Sequence, residues 1–289
     1  MTTRSRKSMS AHARMLILTC FTCVWGTPPF AFAQGKAAPP PPPPPAPLHY
    51  SVPSPFDQAK VVVDSNGNPI PEKKQSAADC FLPPLNGLQP DTVAVTDLQV
   101  PAKSRHEFEA ACADLHDKKV ADAESHLRKA LKQDDKFPAA WVLLGQMLEA
   151  EQKGDQARDA CTKPASMSYL PAYLCLADIS ARSGNWDDVL KMSGQALQID
   201  PATDAPAYSY IAVANFRLHH LPEAEKNALR AIEIDKGNKD PRVHFLLAQI
   251  YEAEGNTSSE AAQLREYLKF ATDPSDAAMV RNYLAALGK

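Results

Sequence analysis

The sequence has no H-E-x-x-H or comparable metal-binding pattern, no G-x-S-x-G and no phosphate-cradling glycine loop. These are the local arrangements that zinc peptidases, serine hydrolases of the elbow type and nucleotide-binding proteins need. Histidines downstream of the leader, at 49, 106, 116, 126, 219, 220 and 244, are scattered. An enzyme, whether metalloenzyme or hydrolase, therefore has no positive support, and no catalytic residue, metal ligand or cofactor is expected. Basic stripes of the kind that track a nucleic-acid backbone are missing too, so no nucleic-acid partner is expected. The longest apolar run, Met15 to Trp25, is 11 residues, whereas a spanning helix needs about 20.

That short run has a meaning of its own. Arg4, Arg6, Lys7 and Arg14 precede it without an acid, and the small-x-small triplet Ala31-Phe32-Ala33 follows. The order matches a secretory signal peptide over residues 1–33, cut after Ala33, with an uncleaved anchor as the alternative. Thr19 and Thr22 stand where a lipoprotein signal has small residues, which argues against a lipid attached at Cys20 or Cys23. The expected destination is outside the cytoplasm, periplasmic or secreted, with no transmembrane helix after cleavage. Downstream of Ala33 there are 27 basic and 34 acidic residues, a mildly acidic balance of −7.

Residues 34–50 contain seven consecutive prolines, Pro39 to Pro45. Such a run adopts extended polyproline II and serves as a spacer. Residues 51–103 hold turn signals and little helical pattern. Val61 to Pro71 suggests a short strand entering an Asn-Gly turn, and Thr92 to Val100 alternates like an edge strand. Asp64, Asn66 and Asn68 imitate the start of a calcium loop, but Pro69 and Gln75 stand where Gly and a bidentate Glu are required.

From Ser104 the texture becomes helical and repetitive. The phrases "KALKQDD", "QALQIDP" and "RAIEIDK" recur at Lys129, Gln195 and Arg230. Small residues Ala111, Gly145, Ala177, Ala212 and Ala248 follow apolar ones at intervals of 34, 32, 35 and 36. A second column, Ala123, Ala157, Val189, Ala224 and Glu260, repeats the same spacing. Gly154-Asp155, Gly184-Asn185 and Gly255-Asn256 supply turns, and Pro138, Pro171, Pro206 and Pro241 lie near the openings of units. Each unit is a helix, a turn and a second helix, stacked on its neighbours because one pair cannot bury its own apolar face. Small residues belong where two helices cross closely.

At these residues the sequence resembles the tetratricopeptide repeat family, in particular its exported bacterial members. Unit two carries the pattern in Trp141, Leu144, Gly145 and Ala157; unit three in Tyr173, Leu176, Ala177, Ala196 and Pro201; unit four in Tyr208, Ile211, Ala212, Ala224 and Ala231. The resemblance implies an all-α solenoid of about five helix pairs over residues 104–274, divided as 104–137, 138–169, 170–204, 205–240 and 241–274, with a capping helix at 275–289. Three departures stand out. Glu107 occupies the aromatic position of unit one. Pro164 should end the second helix of unit two near Lys163. Glu260 falls in a small column, which reads as a one-residue slip to Ala261.

The resemblance also implies a concave groove lined by the first helices. Its candidates are Arg105, Phe108, Cys112 and His116 in unit one, Val142, Gln146 and Glu149 in unit two, and Leu174, Asp178 and Arg182 in unit three. Ser209, Val213, Phe216 and Arg217 follow in unit four, then Arg242, Phe245, Gln249 and Glu252 in unit five. The carboxylate clamp of one well-known branch, Lys and Asn at the fifth and ninth positions, is absent. A protein or peptide partner bound through apolar and amide contacts is expected, its identity and the oligomeric state left open; the alternative is a merely solvated inner surface.

Four cysteines, Cys80, Cys112, Cys161 and Cys175, follow the leader without a C-x-x-C pair, which gives zinc little support. Adjacent helices in units two and three place Cys161 and Cys175 as one expected disulfide, with Cys80 and Cys112 as the second. The alternative is four small buried hydrophobes. The function expected is a non-enzymatic exported scaffold or adaptor, with a structural component of a secretion or pilus assembly as the alternative.

Overall fold

A computed structural model describes residues 80–82, 85, 99–202, 204–236 and 240–288. The leader, the proline run and the two strand expectations before Gln99 lie outside the described residues. Among the described residues there are eleven helices and no strand. They are α1 (Ala102–His116), α2 (Val120–Gln133), α3 (Pro138–Ala150), α4 (Gly154–Ala165), α5 (Leu170–Arg182), α6 (Trp186–Ile199), α7 (Ala205–Arg217), α8 (Leu221–Ile234), α9 (Arg242–Ala253), α10 (Thr257–Phe270) and α11 (Pro274–Ala286). The described residues form an all-α solenoid. Each odd helix packs on the even helix after it, each even helix packs on the next odd one, and α3, α5, α7 and α9 also adjoin in series.

Why the helices begin and turn where they do is visible in the backbone. Lys118, Gln152, Gly184, His219 and Gly255 have positive φ between 61° and 74°, one at the end of each odd helix through α9. Their spacing is that of the small columns. The residue after each donates back to the carbonyl five positions earlier, as in Lys119 to Asp114 (2.8 Å) and Asn256 to Tyr251 (2.8 Å). This 6→1 bond, with the left-handed residue before it, is the Schellman stop, which satisfies carbonyls that a helix end leaves open. Gly154 is therefore not the turn glycine of unit two: it is the first residue of α4, and Gln152 makes the left-handed bend.

Units three and five spell the bend Gly-Asn, and Asn185 and Asn256 accept from Asp188 N–H (3.3 Å) and Ser259 N–H (3.2 Å), capping α6 and α10. Unit four has His219-His220 there, with no side-chain cap on α8. A left-handed non-glycine residue and a missing cap are each worth about 1 kcal/mol. His219→Gly with His220→Asn is thus expected to stabilise the chain by about 1–2 kcal/mol, read as a higher midpoint in urea unfolding.

The crossing points are tight. Ala111, Ala123, Ala157, Ala177, Val189, Ala212 and Ala224 are fully buried. A Cβ placed on Gly145 would overlap Cys161 Sγ and lie 3.2 Å from the Ala157 carbonyl oxygen, so this position needs glycine for space and not for φ. Helices α3 and α5 are apolar on most of their circumference and largely buried, because neighbours cover them on several sides.

Further sequence expectations are corrected. No slip occurs in unit five: Glu260 is the fourth residue of α10, as Ala224 is of α8, and its N–H bonds back to the residue before the helix in both cases. Glu260 is buried at that crossing, where its Oε1 accepts from Tyr283 of α11 (2.7 Å). Helix α1 begins at Ala102, two residues before the expected start, and α11 begins at Pro274. Helix α4 does end early relative to its counterparts, at Ala165, with Pro164 inside its last turn. Ser168 then takes a left-handed φ of 55°, where the recurring phrase elsewhere places Asp134 and Asp200 in extended backbone.

The terminal units differ in a matched way. Glu107 Oε2 lies 2.6 Å from His126 Nδ1, and Gln263 Oε1 lies 2.8 Å from His244 Nδ1; each pair is 19 residues apart. In units one and five a polar pair thus takes the place that Trp141, Tyr173 and Tyr208 hold in the middle units. The bond from His126 keeps the Glu107 carboxyl below the usual carboxylate range.

Candidate functional site

The groove-side positions divide into three groups, and each is built differently. The first lies on α1 and α3. Cys112 is joined to Cys80, with 5.5 Å between their Cα atoms. Gln146, the equivalent position one unit later, reads both main-chain groups of a single residue. Its Oε1 accepts from Leu82 N–H (3.1 Å) and its Nε2 donates to the Leu82 carbonyl (2.8 Å). The same carbonyl also accepts from Leu85 N–H (3.0 Å). Phe81, Leu82 and Leu85 are buried in the core cluster that contains Phe108, Leu115 and Met147. The chain's own segment therefore packs against α1 and α3 at Cys112 and Gln146.

The second group is an ionic network across units two to four. Arg182 Nε donates to Asp178 Oδ2 (2.9 Å) one turn earlier and faces Glu149 Oε1 at 3.9 Å. Tyr210 of α7 donates to Asp178 Oδ1 (3.0 Å). Two carboxylates share the Arg182 guanidinium, and the Arg158 charge also acts on Glu149. Glu149 Oε2 is buried without a hydrogen-bond partner among the described residues. Burial pushes the Glu149 carboxyl above its ordinary value, with Arg182 opposing and Asp178 reinforcing the shift. Tyr210 is not among the sequence candidates; the signal available is a buried tyrosine, whose hydroxyl needs a partner.

The third group disperses. Phe216 is half-buried against the cluster around Leu247, and Arg217 lies over the Trp186 ring of α6 at 5.7 Å, so it belongs to the turn edge between units. Gln249 is half-buried on α9. Glu252 is exposed and, with Glu260, acts on Tyr283, whose hydroxyl is pushed up chiefly by burial and then by its bond to Glu260. Of the remaining positions, Phe108, Val142 and Leu174 are buried and serve the core.

Cys161 on α4 and Cys175 on α5 are joined, with Cα atoms 6.1 Å apart. Both are fully or almost fully buried, whereas Cys80 and Cys112 are half-buried. Among the described residues no group of three or more His, Cys, Asp or Glu could hold a metal ion, and no helix is long and apolar enough to cross a membrane.

No family model matches the sequence. A stretch of 123 residues, 42% of this chain, is 27% identical to the protein CTR9 homolog of Arabidopsis thaliana. The chain spans only about a tenth of that relative, 11%. Among solved structures, a type IV pilus biogenesis factor, PilW, matches with a TM-score of 0.58 at 17% identity, over 65% of this chain and 87% of that one. A thermophilic tetratricopeptide protein of Thermus thermophilus matches with a TM-score of 0.51 at 17% identity, over 64% and 98%. A tetratricopeptide repeat protein of Parabacteroides merdae gives 0.51 at 15% identity, over 65% and 74%. Paired helices, Schellman bends at repeat spacing and these neighbours agree: the chain has the tetratricopeptide-repeat fold.

Proposed function

We propose that the protein is an exported, non-enzymatic scaffold or adaptor that holds a protein or peptide partner on the concave face of its solenoid. The observation that carries this reading is the network of Glu149, Asp178, Arg182 and Tyr210. It links side chains of three successive units, and Glu149, Asp178 and Arg182 stand at positions where the family resemblance puts the groove, with Tyr210 buried behind Asp178. A fold alone does not dictate a ligand. The network adds a fixed polar patch, complementary to an amide-rich or charged segment. Export is supported by the basic, apolar and small-residue order of residues 1–33.

The test is affinity capture on the full chain. Asp178→Ala with Arg182→Ala is expected to lower partner recovery at least tenfold, within the range that loss of a central charged anchor produces. Leu229→Asp, an exposed change on α8, is expected to leave recovery unchanged. Equal recovery by the network variant and the native chain would remove the groove from the function.

A second reading, a structural part of an envelope assembly, draws support from the pilus biogenesis factor among the structural neighbours. It is separated from a free adaptor by the native size of the protein in membrane extracts: a stable large complex favours the assembly component.

A further inference from the structure

We propose that the segment containing Cys80, Phe81, Leu82 and Leu85 is a resident ligand of the groove, latched by the Cys80–Cys112 disulfide. Once the latch is opened, the site it fills on α1 and α3 takes an extended apolar segment of a partner. This goes beyond the concave-face reading, on which it rests, by adding a second binding stretch on the first two units with the ligand chemistry of "CFLPPL".

Three observations point the same way. First, the contact has the form of peptide recognition. Gln146 bonds to the N–H and C=O of Leu82 and to none of its side-chain atoms, so the clamp takes any residue in that backbone orientation. Affinity then comes from Phe81, Leu82 and Leu85, all nearly without exposure, while Pro83 and Pro84 between them in sequence bring no N–H that needs a partner. Second, the contact spans groove positions of two units: Cys112 and Gln146 are equivalent residues of α1 and α3, separated by one repeat. Third, the latch is the reachable one of the two disulfides. Cys80 and Cys112 are half-buried, whereas Cys161 and Cys175 are 0% and 2% exposed. Exchange needs access for the attacking thiolate.

Opening the latch takes a dithiol reductant. One of its thiolates attacks a sulfur of the Cys80–Cys112 bond to give a mixed disulfide and release the other cysteine as a thiolate. The second reductant thiolate resolves the mixed species. Two electrons pass to the protein, Cys80 and Cys112 end as thiols after protonation, and the reductant ends as its own disulfide. The tether also sets the competition. A segment attached in the same chain competes at an effective concentration on the order of millimolar, so a partner displaces it only when the latch is open and the incoming contact is tighter.

The experiment uses the full chain and a fluorescein-labelled peptide of residues 77–88 carrying Cys80→Ser, followed by anisotropy. The oxidised native chain is expected not to bind the peptide. A Cys80→Ser, Phe81→Ala, Leu82→Ala variant, whose own segment is weakened, is expected to bind it saturably, and adding Gln146→Ala is expected to reduce affinity at least tenfold. Absence of binding by a variant that retains its helical circular dichroism overturns the proposal, as does binding insensitive to Gln146→Ala. Should the triple variant unfold, hydrogen exchange of the native chain decides. On mild reduction, peptides covering residues 80–85 are expected to lose protection at least tenfold while α5 to α8 keep theirs; retained protection overturns it. Failure here leaves the Asp178 and Arg182 capture result standing, so the two readings fall separately.

Discussion

Gly145→Ala is expected to lower the unfolding free energy by about 2–3 kcal/mol, at the upper end of what one added methyl does in a packed core. The new methyl overlaps Cys161 Sγ, and that atom cannot swing aside because it is bonded to Cys175 on the next helix. Behind it stands the Ala157 carbonyl oxygen, which is backbone and moves only with α4. The same reasoning yields a coupling. In a Cys161→Ala, Cys175→Ala background the obstructing sulfur is gone, and Gly145→Ala is expected to cost less than about 1 kcal/mol. Urea unfolding of the four chains closes the cycle. Equal costs in both backgrounds would place the strain on Ala157 alone.

Asp204 is expected to make the protein less stable as pH rises from about 4 to 7. Its carboxyl caps α7, with Oδ1 accepting from Ala207 N–H (3.1 Å), but only 3% of the residue is exposed and Oδ2 has no hydrogen-bond partner among the described residues. Burial pushes its pKa up to about 7, with the bond from Ala207 opposing and Asp200 reinforcing the shift. The sign follows from linkage. A folded-state pKa above the unfolded value means that the folded chain binds the extra proton, so the associated stability is full below the unfolded pKa and is lost as pH climbs through about 7. Asp204→Asn keeps the capping oxygen without the charge. It is expected to raise stability at pH 8 by about 2–4 kcal/mol, the scale set by about 1.36 kcal/mol per unit, and to change little at about pH 4. Thermal unfolding of both chains at the two pH values checks this; a gain of equal size under the acidic condition would point to packing and not to charge.

The parts of the architecture that the sequence reveals are those fixed by one residue at a time. Ala111, Ala177 and Ala212 mark crossings because any larger side chain would push two helices apart, so size alone carries the spacing. The bends share that spacing yet are half hidden. Gly184 and Gly255 announce themselves, whereas Lys118, Gln152 and His219 enter the left-handed region because the Schellman bonds around them hold them there. Gly154 misleads because glycine is also tolerated at a helix start. Glu260 misleads for a different reason: its column is small in the other units, and its partner Tyr283 lies in another helix. The contacts made at the expected groove positions are not legible in the sequence. Gln146 stands at a groove position, but its partner is the main chain of Leu82, 64 residues away, and a backbone contact leaves no trace in residue identity.

The core is not uniform along the stack. One buried cluster runs from Phe81 to Ala214 and contains both disulfides' surroundings; a second joins α7, α8 and α9 around Leu247; a third joins α9, α10 and α11 around Leu264. In a quasi-one-dimensional array, each unit's stability is its own plus that of its interfaces. Both disulfides fall in units one to three and the segment before them, whereas units four and five carry no covalent tie among the described residues. Melting should accordingly run from the C-terminal end inward, so that the protein frays like an unclamped spring and its unfolding curve sums two transitions of different steepness.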